Sequence, residues 1–92
     1  MCKEYDYISN IEMCVIRAAV ELMKYNPKYT VKDILACIYE LYQEYLITDS
    51  QEEKLYKLAD PDNEFNEPSQ YYKDMKFKNP LIELLNRNRR AA

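Results

Sequence analysis

Glycine and histidine are both missing from this 92-residue chain, and each absence closes a class of function. Type I′ and II′ hairpins and most left-handed turns rest on Gly or Asn, so a sheet built from tight hairpins is poorly supported. Walker and dinucleotide-binding loops need backbone positions that only Gly tolerates, and neither loop has a place here. Without His there is no Ser-His-Asp triad, no Cys-His pair and no His-ligated metal. The three cysteines, Cys2, Cys14 and Cys37, are an odd number with no CxxC pair. They suit a reducing compartment and a structural role. No apolar run approaches the ~18 residues of a membrane span. No positively charged lead precedes an apolar segment. The expectation is a soluble cytoplasmic protein, not an enzyme, with no metal and no cofactor.

What is present is helical periodicity. From Val31, Ile34, Cys37, Ile38, Leu41, Tyr42, Tyr45 and Leu46 fall on one broad face, with Lys32, Asp33, Glu40 and Glu44 opposite. An apolar arc of roughly 200° exceeds the stripe a surface helix needs, so this helix should touch neighbours on two sides. Thr30 and Asp33 form a capping box at its start, and Tyr29 and Ile34 occupy the staple positions. The pattern carries the helix over residues 31–47.

Ser9 and Glu12 form an earlier box with Ile8 and Met13 at the staple, opening a helix over residues 10–25. Apolar residues cover most of that helix, leaving a polar strip of Asn10, Arg17, Glu21 and Lys24, so it reads as nearly buried. Asn26-Pro27 ends it. Ser50 and Glu53 suggest a third box and a helix over residues 51–59, closed by Asp60-Pro61. Pro68 can open a short helix over residues 68–75. Asn79-Pro80 opens a last one over residues 80–90, whose terminal arginines suit its negative end. The architecture expected is all-α: one domain, a small four- or five-helix bundle with an antiparallel helix 1/helix 2 centre.

The net charge of −3 hides a gradient. Residues 40–67 hold nine acids against Lys54 and Lys57, while residues 73–92 hold six basic side chains against Asp74 and Glu83. Ten tyrosines stand against two phenylalanines and no tryptophan. Phenol rings bury area while their hydroxyls seek polar partners, which suits protein interfaces. Tyr39, Tyr42 and Tyr45 recur every three residues beside Glu40 and Glu44, with Glu52 and Glu53 following. These seven residues are the candidate protein-binding surface, and the acidic run could also imitate phosphate in a basic groove. The function expected is therefore a small protein-binding module or inhibitor that occludes its target. In size and composition the chain resembles small helical proteins of mobile elements, phage counter-defence proteins such as anti-CRISPRs among them.

Two alternatives rest on other residues. Lys73, Lys76, Lys78, Arg87, Arg89 and Arg90 lie near Tyr71, Tyr72 and Phe77, a mixture that can track a backbone and stack bases. A nucleic-acid-binding regulator would use that end. Helix 3 is a weaker DNA reader, because Glu52 and Glu53 would face phosphate. The second alternative is a homodimer through helix 1, whose apolar surface exceeds what one partner covers, with Val20 and Met23 as its contacts. Asp60 and Asp62 are the nearest approach to a paired-carboxylate acid-base site.

Overall fold

The computed structural model describes residues 8–91, with side chains through Arg89. Expectations for Cys2 and for the Arg90 side chain lie outside the described residues. Among those described there are five helices and no strand, the all-α bundle expected. They are α1 (Asn10–Tyr25), α2 (Val31–Gln43), α3 (Asp49–Ala59), α4 (Pro68–Lys73) and α5 (Pro80–Ala91). No described helix is long and apolar enough to cross a membrane.

Two starts follow the capping chemistry of the sequence. The Glu12 amide donates to Ser9 Oγ at 3.2 Å, and the Ser9 amide donates back to Glu12 Oε1 at 2.9 Å. Asp33 and Thr30 repeat the exchange at 3.2 and 3.0 Å, so both boxes satisfy donors that a helix start leaves open.

The end of α2 departs from expectation. It stops at Gln43, four residues early, because Tyr45 takes a left-handed backbone with φ 60°. The Tyr45 amide donates to the Tyr42 carbonyl and the Leu46 amide to the Leu41 carbonyl, both at 3.0 Å. That pair of bonds is a Schellman motif, with a tyrosine where glycine is usual. The Leu46 carbonyl then accepts from the Ile8 amide at 2.9 Å, and Ile47 turns into the core.

With the chain redirected there, Thr48 becomes the cap of α3, in a box with Gln51 at 3.1 and 3.0 Å. Ser50, expected to be the cap, sits inside the first turn, and the Ser50–Glu53 box does not form. α4 ends at Lys73, two residues short of the expected limit, and α5 runs one residue longer.

A Cβ in the left-handed region costs energy that glycine avoids, and the freedom glycine loses on folding offsets only part of it. Tyr45→Gly is therefore expected to raise stability by about 0.5–1 kcal/mol. Urea unfolding followed by circular dichroism reads this; a less stable variant would mean that the Tyr45 ring contributes more than its backbone costs.

At the centre is α2. Every position from Ile34 to Ile38 is buried, as is Leu41, so neighbours surround the helix instead of lining one face. All four other helices touch it, α4 and α3 most broadly, while its contact with α1 is the narrowest. α1 leans instead on α3 and α5. Ile16, Val20 and Met23 of α1 join Leu55, Leu81 and Leu85 in one apolar core.

This overturns the reading of α1 as nearly buried. Ile11, Leu22 and Tyr25 are 77, 73 and 82% exposed, while Val20 and Met23, proposed above as dimer contacts, face the core. A glutamate at either of those two positions would enter the core uncompensated.

Candidate interaction surface

Three acids of the acidic middle, Asp49, Glu52 and Glu53, lie on one side of α3. Glu52 and Glu53 stand three and four residues after Asp49, Tyr56 four and three residues after them, and the cap residue Asp60 four residues after Tyr56, the spacing that stacks side chains along a helix face. At the α2 end this face meets Tyr42 and Tyr45. A recess of about 600 Å³ lies between them, lined by Tyr42, Tyr45, Asp49 and Ser50 among others. At the other end a second recess of about 610 Å³ is walled by Glu53, Tyr56, Asp60, Phe65 and Pro68.

The predicted residues fall into three settings. Tyr39 and Tyr42 are half-buried beside Tyr56, and the Tyr39 ring packs tilted on Tyr72 at 5.4 Å. Glu44 and Glu53 are exposed and Tyr45 is 56% exposed. Glu40 is drawn to the opposite side, where its carboxylate accepts from the Asn79 side-chain Nδ2 at 2.9 Å, and so leaves the candidate surface. Tyr56 was missed. Its hydroxyl donates to Glu52 Oε2 at 2.6 Å, a short charge-assisted bond that orients the carboxylate. The four-residue spacing of Glu52 and Tyr56 was the available signal.

Asp60 is engaged structurally: its carboxylate accepts from the amides of Glu64 and Phe65 at 3.1 and 2.9 Å and holds the loop after α3. Lys32 Nζ lies 5.5 Å from the ring centres of Phe65 and Tyr71, closing that loop onto α2.

At the basic end, the rings that would have stacked on bases pack within the protein. Phe77 meets Tyr29 at 5.7 Å, Tyr71 meets Phe65 and Tyr72 meets Tyr39. Lys78 pairs with Glu83 at 3.4 Å and Arg89 with Glu12 at 2.8 Å, while Lys73, Lys76 and Arg87 are exposed.

Cys37 lies in the core, where burial pushes its thiol up to about 12, with Glu40 and Asp33 adding to the shift. It is inert as a nucleophile. Among the described residues no three Cys, Asp or Glu side chains gather as a metal would require.

Glu12 and Glu52 shift in opposite directions. The Arg89 guanidinium holds the Glu12 carboxyl below its ordinary value, helped by the Ser9 amide. Burial pushes Glu52 up, against the lowering effect of the Tyr56 hydroxyl. A depressed carboxyl stabilises the fold above its unfolded value, and that contribution is lost as pH falls through the folded value. A raised one stabilises below its unfolded value and loses that contribution as pH rises through the folded value. Glu12→Gln is thus expected to be less stable than wild type at neutral pH, with the gap closing in acid. Glu52→Gln should match or exceed wild type at neutral pH and lose that advantage in acid. Urea midpoints taken across the acid range check both signs.

Neither a family model, a curated protein nor a solved structure matches the chain.

Proposed function

We propose that the protein is a small binding module that occludes a basic surface on a protein partner, using the acidic side of α3 and its tyrosine flank. The observation that carries this reading is the state of the exposed acids. Asp49 lines the Tyr42–Tyr45 recess, exposed Glu44 precedes Tyr45 in the chain, and Glu53 walls the second recess on the same side of α3; among the described residues none of the three has a cation partner within the chain. Unpaired carboxylates around half-exposed phenols supply electrostatic steering at the rim and aromatic contact at the centre. In its fullest form the module is an inhibitor of the kind mobile elements encode against host enzymes, its acids occupying a groove shaped for nucleic-acid phosphate.

The test is affinity capture from host lysate with and without nuclease, using three proteins. The wild type should retain a nuclease-resistant partner. The E44K/D49K/E53K triple variant should lose it, and the K73E/K76E variant should keep it. The opposite pattern, nuclease-sensitive recovery lost only with the lysine changes, would transfer the function to the basic end.

A further inference from the structure

α1 has two apolar sides. One faces the core through Ile16, Val20 and Met23. The other carries Ile11, Cys14, Val15, Ala18, Leu22 and Tyr25 at intervals of three, four and seven residues, within a ~100° arc pointing directly away from the core. α3 flanks the helix on one side, where Lys24 Nζ donates to the Leu58 carbonyl at 2.9 Å. α5 flanks it on the other, through Arg89 and Glu12. Apart from half-buried Val15, the residues of the outward stripe are exposed, and the stripe runs about 21 Å from Ile11 to Tyr25. Three large apolar side chains more than 70% exposed on one helix face exceed what scattered surface residues explain.

We infer that the stripe is a homodimer interface in which α1 packs antiparallel on α1 of a second copy, with the two-fold axis at Ala18. The identity of the occupant follows from the pattern of the stripe and its charges. About Ala18 the positions are self-complementary: Ile11 lies opposite the partner's Tyr25 and Cys14 opposite the partner's Leu22. Small Ala18 sits at the crossing, where it allows close approach. A two-fold contact must match a surface to itself in this way.

The charges satisfy the same condition. Arg17 and Glu21 border the stripe on its α3 side, around a shallow groove of about 200 Å³ with Leu58 in its lining. Neither has an ion-pair partner within the chain among the described residues. Antiparallel pairing about Ala18 brings each Arg17 within reach of the partner's Glu21, twice per dimer. The interface is on the opposite side of α1 from Val20 and Met23, and it does not involve the acidic face of α3.

Sedimentation equilibrium over a concentration series tests the dimer. Leu22→Glu should abolish it while leaving helical content unchanged. Arg17→Glu and Glu21→Arg should each weaken it about tenfold, and the double variant R17E/E21R should restore it. Register is read by mild oxidation in a C2S/C14S background. Ala18→Cys should form an interchain disulfide, whereas Ile11→Cys should not, because two antiparallel copies set those positions roughly 20 Å apart. A single-chain mass at every concentration overturns the proposal, as does a dimer indifferent to Leu22→Glu. Crosslinking through Ile11→Cys in place of Ala18→Cys would overturn the antiparallel arrangement.

Discussion

Asn79→Ala is expected to destabilise the fold by about 3 kcal/mol, although the residue is neither apolar nor a ligand. Asn79 is 6% exposed and uses both ends of its amide. Its Oδ1 accepts from the Leu81 amide at 2.9 Å and caps α5. Its Nδ2 donates to the Cys37 carbonyl and to Glu40 Oε1, each at 2.9 Å. One side chain therefore starts the last helix and fastens it to the middle of α2, across forty residues of sequence. Alanine removes a cap worth about 1 kcal/mol and two further bonds, one of them to a charged acceptor. In a domain of this size the melting temperature should fall by roughly 12–24 °C. Asn79→Ser separates the two roles, since serine keeps the cap and loses the tether. It should recover about 1 kcal/mol of the loss. An alanine variant within ~1 kcal/mol of wild type would show that the tether to α2 adds little net stability.

Part of this was readable from sequence and part was not, for reasons that lie in particular residues. Ser9, Thr30 and Asn79 stand at helix starts where local chemistry alone decides, and they cap α1, α2 and α5 as expected. The start of α3 was misplaced because two boxes, Thr48 with Gln51 and Ser50 with Glu53, are equally good locally. The choice between them is made by where α2 ends. That end carries no glycine to mark it, and tyrosine in the left-handed region is not a sequence signal.

The candidate surface divides along the same line. Tyr39, Tyr42 and Tyr45 were proposed from their three-residue spacing, although α2 ends at Gln43 and Tyr45 lies in the turn beyond it. The removal of Glu40 by Asn79, and the pairing of Arg89 with Glu12, join residues far apart in the chain, which periodicity does not report.

Periodicity also fails to say which apolar face is inside when a helix has two, and this sets the second large prediction. Leu41 and Leu22 both lie on strongly apolar helices, and sequence pattern treats them alike. In the fold Leu41 is fully buried in α2, one turn before the Schellman turn whose Leu46 amide its carbonyl receives, while Leu22 is 73% exposed on α1. Leu41→Ala leaves a void in a core that helices surround on every side, so little collapse can fill it. The expected loss is about 3–5 kcal/mol, a large share of the roughly 5–15 kcal/mol available to a domain. Leu22→Ala should change stability by less than about 0.5 kcal/mol, since alanine and leucine differ little in helix propensity and little area is uncovered. Both are measured by urea unfolding at protein concentrations low enough that any binding between copies adds nothing to apparent stability. Equal losses would place Leu22 in the core and remove the outward stripe. The expected disparity would show that α1 holds the bundle through one apolar face and leaves the other outside the core, which is the condition the proposed contact with a second copy needs.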